Sequence, residues 1–315
     1  MVFWILFHSF CYHGTRYLQV FAMDNWLFWD PNPTPFVIPF INRPIAWYGI
    51  LFALGFFIGF YLLKSLFKTY LKTVTDWGDD KIETKSKLFS ERLTVYVIIA
   101  TVVGARLGHI LFYEKWGDYF YHPLEILKTW EGGLASHGGV IGILIGIVIF
   151  HIRNRKEFPF LSVVRIIDLL VIPALLVGTF IRLGNFVNQE VLGTVTNAPW
   201  AVVFGHPIDG SIPAPRHPAQ LYEAIFYFVS FVGFYGFFKT LLLSRARLAG
   251  LFFIATFGFR FLVEYVKEEQ SMIFGSSFLT MGQVLSIPMV FFGLFLVFSK
   301  HFRKEQEGLA DPKAY

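Results

Sequence analysis

Hydrophobic residues occur along most of the chain in seven long runs, separated by segments that carry charged, glycine or proline residues. The runs cover residues 45–67, 93–113, 134–151, 166–187, 219–238, 248–266 and 279–298. Each has close to the roughly 20 residues that an α-helix needs to cross a hydrocarbon layer about 30 Å thick. Strand-type alternation of apolar and polar residues is absent, and in lipid a helix satisfies its own backbone. The pattern therefore predicts an all-α, polytopic membrane protein with seven transmembrane helices.

The segments outside the runs define the expected organisation of the chain. Residues 1–44 are predicted to form an N-terminal extension with an interfacial segment, residues 45–300 the seven-helix domain, and residues 301–315 a cytoplasmic tail. The apolar residues 1–12 are too few to span a membrane and lack the features of a cleaved signal peptide. Translation is expected to start at Met23, with a short interfacial segment as the alternative interpretation.

Lysine and arginine residues concentrate in the first, third and fifth loops and after the last hydrophobic run. Because cytoplasmic loops of membrane proteins are enriched in these residues, the N-terminus is predicted to lie outside and the C-terminus in the cytoplasm. The net charge of +5 then follows from topology, and no nucleic acid is expected as a partner.

Composition agrees with a membrane protein and excludes several kinds of site. The chain is 55% hydrophobic and 16% charged, whereas soluble domains carry about 25% charged residues. Cys11 is the single cysteine, so neither an internal disulfide nor a cysteine-based metal site is possible. His217 and Glu223 lack a second histidine at the spacing of a zinc-binding helix. No metal and no cofactor are predicted.

With the predicted orientation, polar residues lie in the outer halves of six helices and are almost absent from the inner halves. These residues are Tyr48, Arg106, His109, His137, Arg182, Asn185, His217, Tyr222, Arg260 and Glu264. Insertion of an arginine at the middle of a membrane helix costs about 2.5 to 3.5 kcal/mol. Because such a residue is unfavourable in lipid, its presence usually indicates a functional role. Their one-sided distribution predicts a shared cavity open to the outside; scattered structural polar pairs are the alternative.

The densest polar group closes the fourth run, where Arg182, Asn185, Asn188 and Glu190 are followed by Gly193. Several polar groups around one arginine at a membrane boundary are typical of an anion site. The alternative is that Arg182 extends its charge to the lipid headgroups and binds no ligand.

Two further helices carry charged residues on one face. Arg260 and Glu264 are spaced i, i+4, and Lys267 continues the same face. Glu264 is predicted to orient Arg260 toward a ligand phosphate, or else simply to neutralise it. Arg106 and His109 are spaced i, i+3, and structural pairing and ligand contact both remain open for them.

The spacing Arg-x-Gly-Asn-Phe-x-Asn-x-Glu-x-x-Gly at residues 182–193 resembles the signature of the prolipoprotein diacylglyceryl transferases. Other blocks also resemble this family, namely residues 47–49, 104–109, 132–139, 217–223, 259–265 and 281–288. The chain departs from the family pattern at Ile181, where glycine is usual, at Ala135, where serine is common, and at Lys267, where arginine is common.

This resemblance implies transfer of the diacylglyceryl group from phosphatidylglycerol to the cysteine thiol of a prolipoprotein lipobox. The product is a thioether, glycerol phosphate leaves, and the step begins bacterial lipoprotein maturation. The implied partners are phosphatidylglycerol, the signal-peptide and lipobox segment, and membrane lipids. The implied location is the bacterial inner membrane, with the active site on the periplasmic side.

The same resemblance, with the chemistry of the residues, implies specific roles. The catalytic residues would be His137, Arg182, Arg260 and Tyr48, with the arginines on the leaving phosphate and His137 as the base or a headgroup ligand. The substrate-binding residues would be Arg182, Asn185, Asn188, Glu190, Gly193, Arg106, His217 and Glu264, with Asn185, Asn188 and Glu190 holding the glycerol hydroxyls and positioning Arg182. The alternative function is a transporter or channel for an organic anion, which would place polar groups across both leaflets and often has two similar halves.

Overall fold

The computed structural model describes residues 26–40, 42–114, 123–128, 133–242, 244–268 and 279–299. Cys11 and Met23 lie outside the described residues. Seven helices are long and apolar enough to cross a membrane, which confirms the number predicted from the hydrophobic runs. They are α1 (Trp47–Val74), α2 (Asp79–Tyr113), α3 (Ser136–Asn154), α4 (Val163–Val187), α5 (Ala219–Leu241), α6 (Arg247–Val263) and α7 (Met281–Phe298).

The first two helices are longer than their hydrophobic runs. Helix α1 continues to Val74 and α2 begins at Asp79, so most of the predicted first loop is helical. Ion pairs between the two extensions explain the difference, because Glu83 lies 2.6 Å from the amine of Lys68 and Asp79 lies 2.7 Å from that of Lys72. The hydrophobic run predicts only the part of a helix that lies in the hydrocarbon layer. Charged residues that form ion pairs continue the helix beyond that part.

The described residues include five short strands, three before α1 and two between α4 and α5, and the sequence did not predict them. They are β1 (Leu27–Trp29), β2 (Phe36–Ile38), β3 (Arg43–Ile45), β4 (Val202–Phe204) and β5 (Pro215–Arg216). Strand β1 pairs in parallel with β4, which pairs antiparallel with β5, and β2 pairs antiparallel with β3. Strands of two or three residues are too short for an alternating pattern to be recognised.

Residue contacts divide the chain into two compact units. The first unit comprises Met1–Gly59, Ala174–Phe237 and Gly250–Phe298, and the second comprises Phe60–Pro173, Phe238–Ala249 and Ser299–Tyr315. Helices α1, α4, α5 and α6 therefore contribute residues to both units.

An aromatic cluster forms part of the core of the second unit. The rings of Phe67 and Phe89 stack at 3.8 Å between centroids, and Phe158 meets both edge-on. Helices α2 and α3 approach more closely than side chains allow, since a Cβ on Gly104 would lie 2.5 Å from the carbonyl oxygen of Gly138. Small residues at such a contact are typical of helix packing in membranes.

The start of α6 is held by a buried carboxylate of the second unit. Asp168, which is 1% exposed, accepts hydrogen bonds from the backbone N–H groups of Ala246 at 2.8 Å and Ala249 at 2.9 Å. Arg165 lies 3.6 Å from the same carboxylate and donates to the carbonyl oxygen of Leu242. Asp168 lies in the predicted inner half of α4, where the sequence has almost no other polar residues, and it thus has structural partners.

Replacing Asp168 with alanine is expected to destabilise the protein by about 3–5 kcal/mol, because Arg165 would remain buried without its carboxylate partner. Thermal unfolding in detergent measures the change. Glu91→Ala is the matched control, since Glu91 forms only an exposed pair with Lys87 at 3.8 Å. Equal melting temperatures for Asp168→Ala and the wild type would contradict this assignment.

In the first unit, a small hydrophobic core joins strand β1 to the end of α4. Trp29 stacks on Phe186 with 4.6 Å between ring centroids, and its indole N–H donates to the carbonyl oxygen of Phe186 at 3.0 Å. Leu192, Val202 and Phe204 belong to the same buried cluster. The end of α4 and the residues that follow it are therefore packed against strands β1 and β4.

Candidate active site

Arg182, near the C-terminal end of α4, is held by two side chains of the first unit. Its Nε lies 3.0 Å from Oε2 of Glu223, and its Nη1 donates to Oδ1 of Asn185 at 3.0 Å. Glu223 is 0% exposed and Asn185 6% exposed. A guanidinium carries five N–H donors in a fixed plane, so these contacts orient Arg182 and leave donors that a ligand can use.

Glu190 continues this network. Its Oε1 accepts from the side-chain amide of Asn185 at 2.7 Å and from that of Asn188 at 3.4 Å. Both ends of the Asn185 amide are thus in use, one by Arg182 and the other by Glu190. Four of the predicted residues therefore form one hydrogen-bonded chain.

The backbone around Glu190 is strained. Gln189 and Val191, on either side of it, have φ angles of 53° and 60°, in the left-handed region that a β-branched residue such as Val191 rarely adopts. Each such residue costs on the order of 1–3 kcal/mol and persists only where its surroundings enforce it. The side-chain amide of Gln220 contributes by donating to the carbonyl oxygen of Glu190 at 2.7 Å.

Gln189 ties this strained turn to the residue that follows β1. Its side-chain amide donates to Asp30 at 3.1 Å, and its Oε1 accepts from the backbone N–H of His206 at 2.7 Å. His206 also lies 2.7 Å from Asp30 through its Nδ1. Three side chains that are distant in sequence thus fix the turn after α4.

Tyr48, in the first turn of α1, packs directly on the Arg182 motif. A Cβ on Gly184 would lie 2.7 Å from Cδ2 of the Tyr48 ring. Only glycine at this position of α4 allows the ring to approach so closely. Tyr48 and Arg182 therefore belong to the same end of the first unit.

Gly193 lies where three backbone segments of the first unit cross. Its N–H donates to the carbonyl oxygen of His217 at 3.2 Å, and it forms a β-bridge with Lys267. A Cβ here would lie 2.3 Å from the His217 carbonyl oxygen and 2.7 Å from that of Val266. Gly193 thus allows His217 and Lys267 to lie on either side of one segment.

Gly193→Ala is expected to lower activity by about 10²-fold, because the added methyl group must displace both neighbouring segments and misplace their side chains. The transfer rate of the purified variant, compared with its melting temperature, measures the effect. Gly236→Ala in α5 is the control, since nothing lies within 4 Å of its added Cβ. If the activity of Gly193→Ala were within a factor of two of that of Gly236→Ala, the backbone segments around Gly193 would not be too close to accommodate a methyl group.

His217, predicted to bind substrate, belongs to a chain of three side chains. The indole N–H of Trp200 donates to the hydroxyl oxygen of Tyr222 at 2.7 Å, and that hydroxyl lies 3.0 Å from Nδ1 of His217. If the Tyr222 hydroxyl donates its proton onward, Nδ1 of His217 is the acceptor and Nε2 carries the proton of the neutral ring.

The predicted pairing of Arg260 with Glu264 does not form among the described residues. Helix α6 ends at Val263, and Glu264–Val266 is a 3-10 turn, so the i, i+4 geometry of an α-helix is lost between them. The carboxylate of Glu264 lies instead against the start of α7, where a Cβ on Gly282 would be 2.4 Å from Oε1. Glu264 therefore contacts Gly282, and the expectation that it orients Arg260 directly is not supported.

Lys267, outside the site proposed from the sequence, is 7% exposed. Burial lowers the pKa of its amine below the ordinary lysine value, and the positive charges of Arg182 and Arg260 lower it further. Glu223 and Glu264 oppose this shift. Four charged side chains thus act on the amine of Lys267, and together with Lys267 they are called here the basic cluster. The sequence indicated this position only through the i, i+7 spacing of Lys267 from Arg260, which puts both on one helix face.

Because a neutral amine cannot bind an anion, the contribution of Lys267 is present below its pKa and is lost as the pH rises through it. Its lowered pKa moves this loss to a lower pH than for an exposed lysine. Lys267→Arg keeps its charge, because the pKa of a guanidinium is so high that the group stays protonated throughout this range. The ratio of Lys267→Arg activity to wild-type activity is therefore expected to rise between neutral and alkaline pH. A flat ratio, equal to that of the exposed Lys87→Arg control, would contradict this role.

Arg106 lies in the second unit and has structural partners there. Its Nε donates to the carbonyl oxygen of Ile126 at 3.0 Å, its Nη2 to that of Glu125 at 2.6 Å, and its Nη1 to that of Gly133 at 3.3 Å. These donors support the segments on both sides of the interval 129–132. A positioning role is thus better supported for Arg106 than direct contact with a substrate.

His137 and His109 also belong to the second unit. His137 is exposed in the first turn of α3, and its ring lies 5.2 Å from that of Phe112 and 5.7 Å from that of Tyr113. His109 lies 2.9 Å from a carboxylate oxygen of Glu114. The exposed imidazole of His137 is therefore accessible to a reacting group, whereas His109 is held by a neighbour.

The described residues form seven apolar helices, and at one end of the first unit arginine, lysine, asparagine and glutamate side chains are buried or partly buried. This combination defines a polytopic membrane protein with a polar, cationic site. The family model of prolipoprotein diacylglyceryl transferase matches residues 35–299. The chain belongs to this family.

Curated relatives from several bacteria resemble almost the whole chain. The protein of Tolumonas auensis is 42% identical over 86% of this chain and 96% of its own length, and that of Chloroherpeton thalassium is 40% identical over 87% and 94%. The protein of Protochlamydia amoebophila is 33% identical over 87% of this chain and 95% of its own length. Each is named phosphatidylglycerol–prolipoprotein diacylglyceryl transferase.

Proposed function

We propose that this chain transfers the diacylglyceryl group of phosphatidylglycerol to the lipobox cysteine of a prolipoprotein, the first step of bacterial lipoprotein maturation. The names of the relatives supply both substrates. The observation in the structure that carries the proposal is the basic cluster, in which Arg182 pairs with the buried Glu223 and the charges of Arg182 and Arg260 act on the buried amine of Lys267. Such a cluster suits the phosphate of a lipid headgroup.

The reaction is a displacement at carbon. The cysteine sulfur forms a bond to the glyceryl carbon, the bond from that carbon to the phosphate oxygen breaks, and glycerol phosphate leaves with the electron pair. The thiol proton passes to a base. Negative charge grows on the leaving phosphate, so cationic N–H donors that are already in place stabilise the transition state more than the bound substrate.

In this proposal Arg182 and Arg260 bind the leaving phosphate and Lys267 adds a third positive charge. Asn185 and Glu190 orient Arg182 through the hydrogen-bonded chain described above. Tyr48 supplies a hydrogen bond at the rim of the site.

The remaining residues act on the acceptor or shape the site. His137 takes the proton of the cysteine thiol, which has a reference pKa of about 8.5 and is a nucleophile only when ionised. Asn188, Gly193, His217 and Glu264 build the walls around the headgroup. Arg106 supports the segments beside His137.

The location follows from the distribution of lysine and arginine. We place the protein in the bacterial inner membrane with its N-terminus outside and its C-terminus in the cytoplasm. The Arg182 motif then faces the periplasmic side, where phosphatidylglycerol headgroups and the lipobox at the end of a signal peptide both lie. Other membrane lipids surround the helices.

An organic-anion transporter would also place cations in a membrane site. Family membership favours the transferase, because the relatives that match almost the whole chain bear the transferase name. A transporter would be expected to carry polar groups across both leaflets, whereas the sequence concentrates them in the outer halves of the predicted helices.

The deciding experiment measures transfer of label from the glyceryl moiety of phosphatidylglycerol to a lipobox peptide. Purified wild-type protein in detergent–lipid micelles is compared with His137→Asn, Arg182→Ala and Arg260→Ala. The proposal requires labelled thioether product with the wild type and strongly reduced product with each variant. Wild-type protein that moves no label would refute it, and a peptide with serine in place of the lipobox cysteine controls for non-specific labelling.

A further inference from the structure

Two buried acceptor groups on α5 are unused in the mechanism above. The Oε1 of Glu223 and the Oε1 of Gln220 have no hydrogen-bond donor among the described residues, and Oε2 of Glu223 has only the ion-pair contact with Nε of Arg182 at 3.0 Å. Both side chains are 0% exposed. Buried polar atoms in native proteins are nearly always hydrogen-bonded, so such a group calls for a specific explanation.

The positions of the two residues make a shared ligand possible. Gln220 and Glu223 are three residues apart in the first turns of α5, so both project from one face of the helix. Gln220 is oriented by its side-chain N–H, which donates to the carbonyl oxygen of Glu190 at 2.7 Å, and this leaves its Oε1 as an acceptor. Glu223 is oriented by Arg182, whose Nε is 3.0 Å from Oε2.

The acceptor oxygens of Glu223 and Gln220 lie near cationic side chains. A ligand for both would need an anionic group and hydrogen-bond donors. Arg182 contacts Glu223, and the negative charge of Glu223 acts on the buried amine of Lys267. Hydroxyl groups are the natural donors to a carboxylate and an amide oxygen. A ligand that carries a phosphate and, on adjacent carbons, hydroxyl groups would use both the cations and the acceptors.

The other polar side chains of the motif are less available for this purpose. Asn185 uses both ends of its amide within the protein, with Arg182 and Glu190. Asn188 also donates to Glu190. Hydroxyl groups of a headgroup therefore find unpaired acceptors on α5 rather than on these asparagines.

We propose that Glu223 and Gln220 accept hydrogen bonds from the two hydroxyl groups of the glycerol headgroup, and so select phosphatidylglycerol over anionic phospholipids that lack them. The inference rests on the proposed function and names the residues that recognise its donor lipid. A site built to bind hydroxyl groups rejects an analogue without them, because its buried acceptors then stay unpaired.

The test compares two donor lipids with the same acyl chains and phosphate charge, phosphatidylglycerol and phosphatidylpropanol, which has no headgroup hydroxyl. Transfer to a lipobox peptide gives kcat/KM for each lipid. The wild type is expected to prefer phosphatidylglycerol by about tenfold or more. Glu223→Gln and Gln220→Met are expected to reduce that preference several-fold, mainly by slowing transfer from phosphatidylglycerol.

The controls separate recognition from a structural effect. If Glu223 only positioned Arg182, Glu223→Gln would slow both lipids by the same factor, and an unchanged ratio would overturn the inference. Glu91→Gln, an exposed residue of α2, should leave the ratio unaltered. If Glu223→Gln does not fold, the wild-type protein still tests the inference. Equal kcat/KM values of the wild type for phosphatidylglycerol and phosphatidylpropanol would overturn it. Wild-type protein inactive with phosphatidylglycerol would instead refute the proposed function itself.

Discussion

Replacing Arg182 with lysine is expected to lower kcat for diacylglyceryl transfer by about 10²- to 10³-fold, the usual effect of losing a preorganised donor at a developing negative charge. Lysine keeps one positive charge, but it is a point donor on a flexible stem. Arg182 uses Nε and Nη1 for Glu223 and Asn185 while presenting other N–H groups of the same plane to a phosphate. A lysine amine cannot do both.

The measurement is kcat in the transfer assay together with the melting temperature. Arg153→Lys, an exposed residue near the end of α3, is the control and should be fully active. Arg182→Ala is a less specific test, since it leaves Glu223 buried without its cation at a cost of about 3–5 kcal/mol. Full activity of Arg182→Lys would refute the proposal that the planar guanidinium of Arg182 binds the phosphate through several N–H groups.

His137→Asn is expected to lower kcat at neutral pH by about 10²- to 10⁴-fold, the range over which general bases act. The loss should shrink as the pH rises past the thiol pKa of about 8.5, because the peptide thiol then ionises without help. The exposed imidazole in the first turn of α3 leaves room for the acceptor peptide. A pH profile of kcat for both proteins measures this convergence.

His151→Asn is the matched control, since His151 lies on the same helix α3 near its other end and should remain fully active. A loss in His137→Asn that stays constant across the pH range would contradict a role as base. It would assign His137 to headgroup binding, the alternative that the sequence leaves open.

Much of the fold could be predicted because each transmembrane helix is recognisable from a contiguous run. The seven runs match seven helices, although α1 and α2 extend well past them. The five strands were missed because each has only two or three residues, and the partner of β1 is also distant in sequence, as for Leu27 opposite Val202. No local pattern reports a pairing between such short segments.

Part of the candidate site could be predicted for the same reason. Arg182, Asn185 and Glu190 lie in one stretch of chain and do contact one another in sequence order. Glu223 was considered only as a metal ligand, and the ion pair with Arg182 joins two helices that no spacing rule connects. The Arg260–Glu264 pair was wrongly expected because α-helical geometry was assumed past Val263, where α6 ends.

By itself, the sequence determined that seven helices form and how far along each one its polar residues lie, since the length of a hydrophobic run and the rise per residue are local properties. The tertiary structure alone decided which of these side chains meet: Arg182 with Glu223, Gly193 with His217, and Glu264 with Gly282. The rotation of each helix about its axis and the path of each connection result from packing summed over many residues far apart in the chain. Two side chains that are in contact in the structure can therefore lack any recognisable pattern in the sequence around either of them.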